Sequence, residues 1–259
     1  MARYGMVIDL DRCSGCQTCV VTCQMHNNTR PGVAWGSVDT LEIGKAWPDA
    51  DRVQIPHACM HCDDAPCVAA CPTGASIQRE DGIVVVDYET CIGCEACVSA
   101  CPFGARHMST NDTWFFDAAE PSPYEAYGPQ RINVAEKCTF CAERTDEGLP
   151  PHCVGACPNA ARIFGDLDDP ASDICAYIEE NGAEQIPGTS VYYVRGNHDI
   201  DLTSYLMNLG VYAQATSTGS PTSSAIASTA ADDEAPVTSE APASAAADAP
   251  ATSDPKDGE

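Results

Sequence analysis

The chain has 259 residues, with 13 Lys and Arg against 38 Asp and Glu, a formal charge of −25. This balance excludes a nucleic-acid binder, whose phosphate contacts need clustered cations. Hydrophobic residues make up 44% of the chain, but 17 residues in that share are cysteines. Without them it falls to about 37%, poor for packing a core of this length, so something besides apolar burial must hold the chain together.

The opening stretch to Cys13 carries Asp9 and Asp11 and lacks an apolar run, a twin arginine or a small-residue cleavage site. The expectation is a chain without an export signal of its own. Val7-Ile8-Asp9 reads as a short strand four residues before Cys13, as Val85-Val86-Asp87 does before Cys91. The two are copies of one unit: strand, cysteine loop, short helix. Segments 30–56 and 107–137 hold Trp35, Trp47, Trp114 and several prolines with little periodicity, and read as ordered loops around a cysteine core. From Ile77 to Val86, Asp81-Gly82 separates two extended runs, which predicts a hairpin. Ile83–Val86 is the longest aliphatic run, far short of the roughly 18 residues a membrane-spanning helix needs. Residues 171–181 predict a helix with Ile174, Tyr177 and Ile178 on one face, stopped at Gly182, and 191–194 a strand. Residues 213–259, Ala/Ser/Thr/Pro-rich with eight acids and one Lys, have no apolar period to offset their ordering entropy and predict a disordered tail.

Sixteen cysteines fall into four groups: Cys13, Cys16, Cys19, Cys23; Cys59, Cys62, Cys67, Cys71; Cys91, Cys94, Cys97, Cys101; and Cys138, Cys141, Cys153, Cys157. The groups begin 46, 32 and 47 residues apart, and three end in Cys-Pro. Disulfides would need an oxidising compartment. Zinc is the sharper rival, since C-x2-C is half a zinc site, but zinc ribbons do not call for a third and fourth Cys at this spacing. The spacing C-x2-C-x2-C-x3-C-P is the bacterial ferredoxin run for a [4Fe–4S] cluster, and Cys91 to Pro102 matches it at every position. In such runs the fourth Cys ligates the other cluster of a pair. Four clusters use all sixteen cysteines. The intervals also suit pairing of neighbouring groups one with two and three with four. The 32-residue interval with its hairpin favours groups two and three as one inner unit, inserted into an outer unit of groups one and four. The sites are then Cys59, Cys62, Cys67 with Cys101; Cys91, Cys94, Cys97 with Cys71; Cys13, Cys16, Cys19 with Cys157; and Cys138, Cys141, Cys153 with Cys23.

Over residues 3–200 the chain resembles the four-cluster electron-transfer subunit of the dimethyl sulfoxide reductase family of molybdopterin enzymes. The resemblance rests on Cys59-Met60-His61-Cys62-Asp63-Asp64-Ala65-Pro66-Cys67, the Cys91–Pro102 run, Lys137-Cys138-Thr139-Phe140-Cys141-Ala142-Glu143-Arg144, and the eleven-residue gap from Cys141 to Cys153. It implies the same nested pairing. Some members replace the second Cys of the third group and hold a [3Fe–4S] cluster; this chain keeps Cys94 and resembles the all-[4Fe–4S] members. Its first group departs in having Gln24 where the others have Pro. The fold class expected is α+β, two nested bacterial-ferredoxin-like units with loop-rich insertions. The outer unit comprises 1–58 and 102–170 and the inner 59–101; 171–212 is an extension of helix and strand packing on the core or a partner, and 213–259 the tail.

The resemblance also implies partners: a large molybdopterin catalytic subunit, which alone holds the pterin, and a membrane anchor or soluble carrier on the quinone side. The alternatives are the small subunit of a formate-dehydrogenase-type or hydroxytransferase/dehydroxylase-type enzyme and, behind these, a protein that binds metal for structure alone. The location expected is peripheral to the cytoplasmic membrane, on its outer face through co-export with a twin-arginine partner, or in the cytoplasm. No catalytic constellation stands out. Arg12, Arg106, Lys137, Arg144 and Arg162 lie beside cysteine loops, where positive charge would ease repulsion among clusters that carry −2 each and raise their reduction potentials. The six histidines, His26, His57, His61, His107, His152 and His198, form no spaced pattern, though His61 and His107 lie near cysteine loops. Cys175, outside every group, reads as a buried structural thiol.

Overall fold

The computed structural model describes residues 2–44, 48, 50–110 and 131–216. Trp47, Trp114 and residues 217–259 of the expected tail lie outside the described residues. The central element is strand β1 (Tyr4–Asp9), in which every residue after Tyr4 is buried. Apolar residues on both faces of a strand require cover on both sides. Strand β8 (Arg162–Asp166) pairs antiparallel with one edge of β1, and β10 (Val191–Val194) pairs parallel with the other, with Ile8 opposite Tyr193. The two-residue β9 (Glu184–Gln185) completes a sheet of order β8-β1-β10-β9.

One face of this sheet packs on helix α6 (Asp173–Asn181), through Ile174 against Val7 and Val194. The helix begins where Ser172 Oγ accepts from the Cys175 N–H and ends at left-handed Gly182. Cys175 is half-buried rather than buried, its thiol directed at the carbonyls of Leu167 and Asp166. The other face carries Met6, Ile8 and Tyr193 into the main core with Ile55, Met60, Ile83, Phe103, Phe140 and Leu206. Tyr193 is buried with its hydroxyl donating to the Pro56 carbonyl at 2.8 Å.

Among the described residues three two-stranded ribbons flank the sheet. The Asp81-Gly82 turn joins β4 (Ser76–Gln78) and β5 (Val84–Val86), the expected hairpin. Segments 30–56 and 107–137, expected as loops, contain strands where they are described; residues 45–47, 49 and 111–130 lie outside the described residues. Residues Gly36–Gly44 (β2) and Ala50–Ala58 (β3) form a nine-pair antiparallel ribbon, and β6 (His107–Ser109) pairs with β7 (Val134–Glu136). Short helices follow the cysteine loops: α1 (Thr18–Asn27), α2 (Pro66–Ala69), α3 (Ala96–Ser99), α4 (Ala142–Thr145) and α5 (His152–Gly155).

Helix α7 (Leu202–Thr216) runs past the expected start of the tail, so residues 213–216 are helical. Its anchor is a close crossing with the loop after Cys101: the Gly210 N–H donates to the Pro102 carbonyl at 3.0 Å, and a Cβ on Gly210 would stand 2.4 Å from the Cys101 carbonyl oxygen. A helix seated by its buried turns continues beyond them, whatever the composition of the chain that follows.

Candidate metal centres

Each group opens with a C-x-x-C loop whose third residue is left-handed: Gly15 at φ 68°, His61 at 44°, Gly93 at 67° and Phe140 at 51°. This turn reverses the backbone immediately before the second cysteine of each loop. Glycine adopts it without a steric penalty. His61 and Phe140 instead stack on each other, ring centres 3.7 Å apart, and their burial offsets the strain. The His61 Nδ1 accepts the Val84 N–H at 3.0 Å, tying the second loop to β5.

The loops bring cysteines of different groups together. Cys71 lines one cavity with Cys91, Cys94 and Cys97, and Cys157 lines another with Cys13, Cys16 and Cys19. Cys62 has Cys59, Cys101 and Cys67 as its electrostatic neighbours. Cys23 faces Cys153, and Cys138 and Cys141 both face Cys23 and Cys153. Burial first, and then repulsion from neighbouring sulfurs, pushes the thiols of Cys23 and Cys62 up to about 12. Cys141 also reaches about 12, through burial and neighbours that include Cys153, against a hydrogen bond from His152. Cys71 moves the other way: burial opposes ionisation, but hydrogen bonds from Ser76, Thr73 and Ala75 bring it to about 7. At their raised values the thiols of Cys23, Cys62 and Cys141 are neutral at pH 7, and only a positive centre among them would favour the thiolate.

Of the five cations beside the loops, three are buried: Arg106, Lys137 and Arg162 at 3%, 1% and 7% exposure. No carboxylate pairs with any of them among the described residues. Arg106 donates to Cys67 Sγ at 3.0 Å and Ser76 Oγ at 2.8 Å. Arg162 donates to Met6 Sδ at 3.3 Å and Cys19 Sγ at 3.7 Å. Lys137 donates to the carbonyls of Val84 and Cys138. Arg12 instead pairs with Asp9, and Arg144 donates to the Pro150 carbonyl.

A buried, unpaired cation costs several kcal/mol, so these three fit a group of opposite charge in the cysteine sets. Backbone N–H groups add to that fit. Ser76, Ala135, Phe140 and Ala161 donate to Cys71, Cys91, Cys138 and Cys157 sulfurs at 3.3–3.5 Å. Such hydrogen bonds tune iron–sulfur sites. A zinc site asks for thiolates about 2.3 Å from one ion; among the described residues no group of His, Cys, Asp or Glu is arranged to hold a single metal ion.

Three histidines pair with carboxylates. His57 and His198 bond to Asp39 and Asp51 at 3.0 and 2.6 Å, and His26 to Glu143 at 3.1 Å with its ring tilted against that of His152, centres 3.5 Å apart. Burial and His57 depress the His107 pKa. Sequence reasoning missed the left-handed His61 and Phe140 and the anchor residue Ser76. The signal was present: His61 and Phe140 align with Gly15 and Gly93.

A family model for a 4Fe–4S dicluster domain matches residues 51–115 and 106–167, and one for a 4Fe–4S binding domain matches residues 10–26. The chain is 41% identical to a Halobacterium salinarum protein provisionally named as the iron–sulfur subunit of a dimethyl sulfoxide reductase, over 76% of this chain and 80% of that one. It is 37% identical to the iron–sulfur subunit of the arsenate respiratory reductase of Shewanella sp., over 74% and 96%. To a subunit of the tetrathionate reductase of Salmonella typhimurium it is 40% identical, over 69% and 64%. No described helix is long and apolar enough to cross a membrane.

Proposed function

The chain belongs to the iron–sulfur subunit family of the dimethyl sulfoxide reductase type of molybdopterin enzymes, and from that premise we propose which of its residues hold which cluster. It is an electron-transfer subunit with four [4Fe–4S] clusters, and it works with a molybdopterin catalytic subunit. In our reading Cys59, Cys62, Cys67 and Cys101 hold one cluster, and Cys91, Cys94, Cys97 and Cys71 a second. Cys13, Cys16, Cys19 and Cys157 hold the third, and Cys138, Cys141, Cys153 and Cys23 the fourth. The two inner sites form one dicluster unit nested within the other.

The observation that carries this assignment is the crossing of fourth cysteines. Cys71 sits in the cavity of the third group, and Cys101 has Cys59, Cys62 and Cys67 of the second group as its neighbours. Clusters of this kind supply one-electron transfer. The chain's part is to hold them: left-handed turns shape the cysteine loops, backbone N–H groups bond to the sulfurs, and apolar side chains such as Phe140 and Ile83 keep water out.

We propose further that the partner on the other side is a quinone-side membrane anchor or a soluble carrier. The complex would then be peripheral to the cytoplasmic membrane, on the outer face by co-export with a twin-arginine partner or on the cytoplasmic one.

Two measurements test this. Anaerobically purified protein contains about sixteen iron and sixteen sulfide per chain; about four metal ions without sulfide would overturn the cluster reading. In Cys101→Ser, electron paramagnetic resonance places the lesion in the cluster of Cys59, Cys62 and Cys67. A lesion in the Cys91–Cys97 cluster would refute the crossing.

A further inference from the structure

Aligning the groups on their closing cysteines exposes a second correspondence. The fifth residue after the fourth cysteine is Ser76 in group two, Arg106 in group three and Arg162 in group four. Both arginines are buried among the cysteine sets. Arg106 bonds to Cys67 of one set, and its charge acts also on Cys59 of that set and on Cys97 of the next. Ser76 fixes its other arm, and the Arg106 Nε has no acceptor among the described residues. Arg162 reaches Cys19 of one set, and its charge acts on Cys153 and Cys23 of the next. Met6 takes the anchoring place that Ser76 has in the inner unit.

We propose that Arg106 and Arg162 are equivalent positioning residues, each a fixed buried cation shared by the two cysteine sets of one dicluster unit, which raises the reduction potentials of both clusters of that unit and not of the other. The proposal rests on the four-cluster reading. One-electron reduction takes a cube with four thiolates from −2 to −3, and a neighbouring positive charge favours the more negative state. A guanidinium supplies that charge at any working pH, and the low-dielectric interior leaves it little screened.

The test uses the full chain in its complex with the catalytic subunit, with iron content and paramagnetic-resonance redox titration measured together. Iron content reports on the cluster reading; the potentials report on this one. In Arg106→Gln with all iron retained, the two inner clusters shift to lower potential by at least a tenfold change in the ratio of oxidised to reduced form, about 59 mV for a one-electron couple. The outer two stay within error. Arg162→Gln gives the reverse pattern, and Arg106→Lys and Arg162→Lys hold potentials close to the unsubstituted protein. Unmoved potentials in the Gln variants, or equal shifts of all four clusters, would overturn the proposal. If a Gln variant loses iron, the Lys variant decides: iron kept in that unit upholds the role of charge, and iron lost there too refutes it.

Discussion

A left-handed residue before the second cysteine of every group is the smallest feature on which the sites depend. At Gly93 two demands coincide: φ is 67°, and a Cβ would stand 2.3 Å from the Asn133 carbonyl oxygen. Backbone cannot yield as a flexible side chain can. Gly93→Ala therefore combines a left-handed penalty of about 1–2 kcal/mol with displacement of the segment leading to β7. The expected result is a lower melting temperature and loss of roughly one cluster's worth of iron, about four atoms per chain, read by metal analysis. Gly148→Ala is the control. Its φ is 74° but nothing lies within 4 Å of the new Cβ, so it lowers stability without loss of iron. At this scale the sixteen cysteines were legible because their spacing is itself the motif. The cations were not: five stand beside loops in the sequence, and only packing distinguishes buried Arg106, Lys137 and Arg162 from Arg12 and Arg144, which find partners nearby in the chain.

Elements built from local signals were the ones the sequence disclosed. Helix α6 has its cap at Ser172, its apolar face and its stop at Gly182 in one continuous stretch, and the β4–β5 hairpin has Asp-Gly between its strands. The β2–β3 ribbon has neither advantage. Strand β2 buries none of its residues, and β3 carries Pro56 within its paired run, opposite Val38. Proline removes a ladder donor and argues against a strand in sequence. The apolar alternation reduces to Val53 and Ile55, which are buried only because the main core lies beneath them. Strands β6 and β7 are three residues each and meet across a long separation in the chain, beyond the reach of any local pattern. The α6 cap offers a test at this scale. Ser172→Ala removes the acceptor of the Cys175 N–H and costs about 1 kcal/mol, a fall in melting temperature of about 2–4 °C for a chain of this size. Iron content stays unchanged, because α6 packs on the face of the sheet remote from the cysteine sets. Loss of iron in this variant would show that the sheet and the clusters are coupled more tightly than the contacts imply.

At the scale of the whole molecule the clusters replace the apolar core that the composition lacks. Cys59, Cys62, Cys101, Cys138 and Cys153 pack directly against the main core, so the sulfur sites and the hydrophobic interior are one body. Removal of iron acts on that body in two ways. The thiols of Cys23, Cys62 and Cys141, pushed up to about 12, take up protons at neutral pH and become uncharged. Arg106, Lys137 and Arg162 are then left buried without a counter-charge, at a cost of several kcal/mol, comparable with the whole stability of a typical domain. Iron chelation under anaerobic conditions at pH 7 is therefore expected to unfold the cysteine-bearing body rather than empty it, with loss of far-ultraviolet dichroism and of the cooperative melting transition. The sign of the pH dependence follows from the same thiols. Their protons must leave before iron binds, so reconstitution with iron and sulfide proceeds more completely at pH 8.5 than at pH 6.5, followed by absorbance near the thiolate-to-iron charge-transfer bands. Retention of a cooperative melt by the iron-free chain would mean that the β8-β1-β10-β9 sheet and its ribbons carry the fold alone, and that the buried cations find water or carboxylates when the clusters are gone.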